Sequence, residues 1–320
     1  MKKKTLVIIL LSVVITNLIS VSGLANYNYQ IALEKGTEIL KVKKYDKDAW
    51  KNTVSNFTTP NVWFEGESNN TGSRSKYVIK GWRGLTWNTY DVFISIFLPI
   101  FLDSKQIVPL LMIMNKSGYN ETAINNNYTN NYKFWVGLRA KWNFTINDFD
   151  EKPIESNDRF LIFKNPEDYI KALSDYNSIA QQLNNDLTIK MSGYSFPYFD
   201  GDQFLWILIQ SEFAIAKPFN KYLSILVEEL GCNNATVIDN VLTIKRFGET
   251  IYTVEISYGT EGIMVSFVVK DINNVIIYQI IKTSSEWVFY IILLILSICI
   301  VVLCIFIILR RRKIMRIRKK

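Results

Sequence analysis

The sequence has no histidine and only three cysteines in 320 residues. Without imidazole, neither a Ser-His-Asp triad nor a Cys-His nucleophile can be assembled, and no zinc site can use a histidine ligand. The cysteines are Cys232, Cys299 and Cys304, and the last two sit within one long apolar stretch, so a cysteine-only zinc site is excluded as well. A lone thiol in the body of the chain cannot form an intramolecular disulfide there, and Cys232 reads as a small buried apolar group. Stability has to come from packing, which a body of about 260 residues rich in Tyr, Phe and Ile can supply.

The charge is also short of what it first suggests. The chain carries 37 basic and 29 acidic residues, an excess that would fit nucleic acid if it were spread over a folded surface. Eleven of the basic residues are Lys2, Lys3 and Lys4 together with Arg310, Arg311, Arg312, Lys313, Arg316, Arg318, Lys319 and Lys320. Removing them leaves 26 basic against 29 acidic, a net charge of −3 for the body. Counterion release then has no basic stripe to work with, and nucleic acid is excluded as a partner.

The two ends explain the displaced charge. Three lysines, an apolar run from Leu6 to Ile15 broken only by Ser12, and the small residues Gly23 and Ala25 give a signal-peptide pattern, with cleavage expected after Ala25. Residues 287–309 form a run without charge or proline, long enough as a helix to cross a bilayer. Trp287 and Tyr290 mark one interface and the arginines begin at the other, which places the basic end in the cytoplasm. The expected organisation is a signal peptide at 1–25, an extracytoplasmic domain at 26–284 with a lobe boundary near 148–165, a transmembrane helix at 285–309 and a basic tail at 310–320. Arg310, Arg311, Arg312 and Lys313 are expected to contact lipid headgroups. The chain would then lie in the cell membrane as a single-pass protein, N-terminus outside and C-terminus cytoplasmic.

Seven Asn-x-Ser/Thr sequons, at Asn56, Asn69, Asn115, Asn120, Asn127, Asn143 and Asn234, all fall between the signal peptide and the span and are glycosylation candidates. Residues 115–131 and 65–74 read as polar surface loops.

The fold class expected is α+β. Four β-rich runs at 241–247, 251–258, 263–270 and 275–281 are separated by Gly or Asn turns and read as an antiparallel meander. Runs at 38–45, 76–82, 85–97 and 132–144 are expected in the same sheet or a facing one. Two helices are expected to pack on it. One is capped at Asn165 and carries Tyr169, Leu173, Tyr176, Ile179, Ala180 and Leu183 on one face. The other begins at Lys217 or Pro218 and ends at Gly231. Residues 92–114, apolar but interrupted by Pro99, Pro109 and a polar step at 103–106, fit a core strand or buried helix, a membrane-touching hairpin, or the lining of an apolar pocket.

Carboxylates are the acid-base groups left. Asp148, Asp150, Glu151, Glu155 and Asp158 form one cluster and Asp200 and Asp202 another, and each reads as a polar turn before it reads as a glycosidase pair or a calcium loop. Trp50, Trp63, Trp82, Trp87, Trp135, Trp142 and Trp206 read mainly as core, with any exposed ring free to stack on a sugar or a protein. No catalytic residue, metal ligand or cofactor is assigned.

Two stretches, Lys35-Gly36-Thr37-Glu38 leading to Lys44-Tyr45-Asp46 and Tyr252-Thr253-Val254-Glu255 leading through Tyr258-Gly259 to Gly262, together with the layout of the ends, resemble a loosely defined group of uncharacterised archaeal-type single-pass surface proteins. The resemblance implies a β-rich ectodomain with a C-terminal anchor and no particular activity. The expected function is a non-catalytic cell-surface recognition or envelope-scaffold protein whose partner is an extracellular protein, a glycan or an apolar ligand. The alternatives are a carrier for a hydrophobic ligand and a carboxylate-based polysaccharide hydrolase.

Overall fold

A computed structural model describes residues 28–283 and 295–300. The expected signal peptide, the tail with Arg310, Arg311, Arg312 and Lys313, and the span at 285–309 lie outside the described residues, apart from 295–300, which are helical. Among the described residues no helix is long and apolar enough to cross a membrane.

The body is α+β. Its strands are β1 (Gly36–Tyr45), β2 (Arg74–Asn88), β3 (Asn131–Thr145), β4 (Glu155–Phe163), β5 (Ala235–Ile238), β6 (Val241–Phe247), β7 (Ile251–Tyr258), β8 (Met264–Lys270) and β9 (Ile276–Lys282). They form one antiparallel sheet in the order β4-β3-β2-β1-β9-β8-β7-β6-β5. The chain thus writes two meanders, β1–β4 and β5–β9, and joins them where β1 pairs with β9, Leu40 opposite Lys282. The C-terminal meander has five strands, not four. Its first strand is only Ala-Thr-Val-Ile, too short to show a period, and pairs with β6 through Ile238 and Val241. In β7 the alternation holds as the sequence implies, with Tyr252, Val254, Ile256 and Tyr258 buried.

The runs at 76–82 and 85–97 are corrected in two ways. The first run and the start of the second are one long strand, β2, which pairs with β3 from Arg74 to Asn88. Past Asn88 the chain is helical, because the Asn88 side chain accepts from the Asp91 amide and caps the helical turn Thr89–Val92.

The helices are α1 (Lys47–Thr53), α2 (Thr89–Val92), α3 (Leu98–Phe101), α4 (Ser104–Lys116), α5 (Glu121–Asn127), α6 (Asp168–Asn185), α7 (Leu187–Met191), α8 (Gly201–Gln210) and α9 (Phe219–Glu229), with a π-helical stretch at Phe93–Phe97 between α2 and α3. More helices pack on the sheet than the two expected. Residues 92–114 are helical apart from 102–103 and only partly core, with Val92, Phe93, Phe97, Leu98, Leu110 and Met114 buried while Pro99, Val108 and Met112 are exposed. Phe97 stacks on Tyr176 of α6 at 4.4 Å between ring centroids and on Phe204 of α8 at 5.2 Å. The expected loop at 115–131 is likewise part helix. Asn120 accepts from the Ala123 amide, and the short α5 it caps buries only Ile124. In the loop at 65–74, Ser68 and Ser73 are buried.

α6 buries all six residues of its expected face. It starts later than expected, at Asp168, because the Asp168 amide closes a turn onto the Asn165 carbonyl, so Asn165 lies before the helix and not at its cap. α9 runs as expected, and Gly231 takes the left-handed conformation (φ 65°) just past its end. Asp200 caps α8 and Asp202 lies in its first turn: Asp200 accepts from the Gln203 amide while Gln203 reaches back to the Asp200 amide.

Candidate functional site

Functional geometry collects at the β2–β3–β4 end of the sheet. The 132–144 run alternates Tyr132, Phe134, Val136, Leu138, Ala140, Trp142 and Phe144 against Lys133, Trp135, Gly137, Arg139, Lys141 and Asn143, and the second set would be expected to face water. The structure departs from this, since Arg139 is buried, at 7 % exposure. Its Nε pairs with Asp158 of β4 and its Nη1 donates to Glu212 Oε2 at 3.0 Å, while Lys141 lies 3.9 Å from the other Glu212 oxygen. The guanidinium also sits 5.6 Å from the centre of the Tyr77 ring.

Glu212 reaches this cluster from the segment after α8, with its backbone left-handed at φ 53°. Burial alone would raise its pKa, but the charges of Lys141 and Arg139 and the Arg139 hydrogen bond together outweigh it and hold the carboxyl below its usual range. Burial pushes the Tyr77 hydroxyl well up, so it stays neutral beside them. The cavity next to the cluster, lined by Tyr77, Ile79, Phe160 and Met264 among others, has about 20 Å³, room for a single water.

Two open grooves flank this cluster, and Arg159 of β4 lines both. The smaller, of about 440 Å³, has an apolar floor of Leu85, Trp87, Val136 and Leu138, with Trp82 beside it and Lys80, Arg83 and Arg159 as its charged residues. Among the described residues no carboxylate lines it. Trp82 is 45 % exposed and Leu138 39 %, and the Trp82 indole is anchored by donating to the Leu33 carbonyl at 3.2 Å. The larger groove, of about 650 Å³, lies between β4 and the helices. Arg159, Phe160 and Leu161 form one side, and Phe204 and Ile207 of α8 with Ile96 and Pro99 of the 92–114 segment form the other. That segment thus both fills the core and lines an open groove.

The acidic residues singled out in the sequence do not converge. Asp148 lies 3.5 Å from Arg74, Asp150, Glu151 and Glu155 are exposed, and Asp158 is committed to Arg139. Asp202 accepts from the Asn234 side-chain amide at 3.1 Å. Among the described residues no group of three or more His, Cys, Asp or Glu side chains could hold a metal ion. Cys232 is a half-buried free thiol whose pKa is pushed up to about 12, first by burial and then by Asp202 and Asp200.

Of the sequon asparagines, Asn56, Asn115, Asn120 and Asn127 are exposed, and the last three cluster on α4, α5 and the turn between them. Asn69, Asn143 and Asn234 are half-buried. Trp50, Trp135, Trp142 and Trp206 are buried, and Trp63 and Trp87 are half-buried. Sequence reasoning missed Arg139, Lys141, Arg159 and Glu212. The strand's own alternation points away from Arg139, and the acid that buries it lies 73 residues further on.

Comparison with protein-family models, with characterised proteins and with solved structures finds no match to this chain in any of the three.

Proposed function

We propose that this protein is a single-pass membrane protein that displays a non-catalytic recognition domain at the cell surface and binds anionic glycan through the Trp82 groove. The observation that carries the reading is an anchored, exposed indole in a groove whose charged residues, Lys80, Arg83 and Arg159, are all cationic. An aromatic face stacks on a sugar ring while guanidinium groups take its carboxylate or sulfate in bidentate fashion. Asp158 and Glu212 support a non-catalytic role, because both are held by Arg139 and neither is free to serve as acid or base. None of the seven sequon asparagines is among the residues that line the Trp82 groove.

The test is binding of the full chain to uronic-acid and sulfated oligosaccharides against neutral ones. Saturable binding that falls with salt and drops about tenfold in Trp82→Ala is expected, equivalent to one stacking contact of about 1.4 kcal/mol. Equal binding to neutral sugars, or Trp82→Ala and Arg83→Glu variants that bind like the parent, would rule the groove out.

A further inference from the structure

The larger groove is separate from the Trp82 groove and runs along a strand edge. β4 is the last strand of the sheet on this side, paired with β3 alone. Beyond that ladder, no hydrogen bond among the described residues reaches the backbone of residues 158–162. The nearest ones stop at its two ends, where Lys80 donates to the Ser156 carbonyl and the Tyr222 hydroxyl to the Phe163 carbonyl. Half the backbone groups of a strand point away from its single partner, so this stretch presents a short row of donors and acceptors. Three successive residues, Arg159, Phe160 and Leu161, line the groove of about 650 Å³. Successive strand side chains point to opposite faces, so a groove touching all three opens onto the edge itself and not onto one face.

We infer that this groove binds an extended peptide segment of a partner protein by strand addition to β4, with an acidic residue on the peptide held by Arg159. The helical wall of Phe204, Ile207, Ile96 and Pro99 stands across from the edge. Apolar side chains at alternate peptide positions face that wall, and the backbone pairs with β4. Arg159 is exposed and has no carboxylate partner among the described residues, while Lys141 is already shared with Glu212. Among the described residues Glu65 is the one acid lining the groove, and the Arg159 guanidinium selects an acidic position on the ligand.

The probe is a pool of capped heptapeptides with apolar residues at the odd positions and aspartate or lysine at the centre, offered to the full chain in mild detergent. Central aspartate is expected to win over central lysine, and Arg159→Glu, an exposed change that leaves the fold intact, is expected to invert that preference. Since only one edge of the bound peptide pairs, N-methylation of one alternate set of its amides weakens binding about tenfold or more, and of the other set much less. Amide exchange at residues 158–162 slows in the complex. The inference is overturned by a pool in which nothing binds at about 1 mM, or by two N-methyl sets that behave alike. It is equally overturned by a long-chain fatty acid binding the groove while the peptides do not. Trp82→Ala leaves peptide binding unchanged, so this result and that of the glycan test fail separately.

Discussion

Replacing Arg139 by methionine tests the account of the buried cluster most directly. The change keeps an unbranched side chain of similar reach against Tyr77 and Phe160 but removes the partner of both Asp158 and Glu212. Glu212 is then a carboxylate with 8 % side-chain exposure whose remaining cation, Lys141, is 3.9 Å away. Breaking a buried pair from one side costs about 3–5 kcal/mol, and the Lys141 contact moves the expectation to the lower end, about 3 kcal/mol at pH 7. In a body of this size that is roughly 6–12 °C in Tm. The pH dependence gives the second readout. In the parent, the Glu212 pKa is held below its ordinary value of 4.5 by Lys141 and Arg139 against the effect of burial. Its contribution is therefore complete above pH 4.5 and is lost as pH falls through the folded value. In Arg139→Met the same carboxyl is desolvated with a weak partner, its pKa rises, and protonation relieves the defect. The gap between parent and variant, measured by urea denaturation of the full chain in detergent, narrows from pH 7 to pH 3. Adding Glu212→Gln to Arg139→Met recovers part of the loss at pH 7. A cost below about 1 kcal/mol at pH 7, or a gap that does not change with pH, would refute the reasoning.

Three further outcomes are expected. A Cβ on Gly201 would lie 1.9 Å from the Leu230 carbonyl oxygen, where α8 begins against the end of α9, so Gly201→Ala lowers stability by about 2 kcal/mol, read as a Tm drop of roughly 4–8 °C. The Cys232 thiol, with its pKa pushed up to about 12, reacts with iodoacetamide at pH 8 far more slowly in the folded chain than in urea, and equal rates would place it in water. Protease added to intact cells removes the body and spares an epitope fused after Lys320, and loss of the epitope instead would reverse the proposed orientation.

The sequence made the sheet legible wherever side chains alternated cleanly, as in β7, or where Gly and Asn punctuated the runs. It hid β4, whose first residues Glu155 to Arg159 are polar and whose last four, Phe160 to Phe163, are continuously apolar, so neither part shows a period of two. α8 was hidden for a related reason, since Phe204 to Ile209 is apolar on every side and only its cap at Asp200 is informative. The 92–114 segment was ambiguous because short apolar runs fit helix and strand alike, and Tyr176 and Phe204, brought from distant segments, decide its packing. The site was less legible than the fold. Trp82 could be named as an aromatic in a strand, but its exposure depends on which helices cover the sheet and which do not. Arg139 was hard to read from its own neighbourhood, because one of its two carboxylate partners, Glu212, lies 73 residues further along the chain.

The seam between the two meanders has a mechanical meaning. β1 and β9 run antiparallel with Leu40 opposite Lys282, so the chain enters β1 and leaves β9 at the same end of the pair. Tension applied between residues 36 and 283 would pull the two strands apart like the teeth of a zip, loading their hydrogen bonds one after another instead of all at once. The weakest line of the domain under force is then its central seam, and parting it leaves two sheets of four and five strands, each continuous in sequence, that can close again when the load is removed.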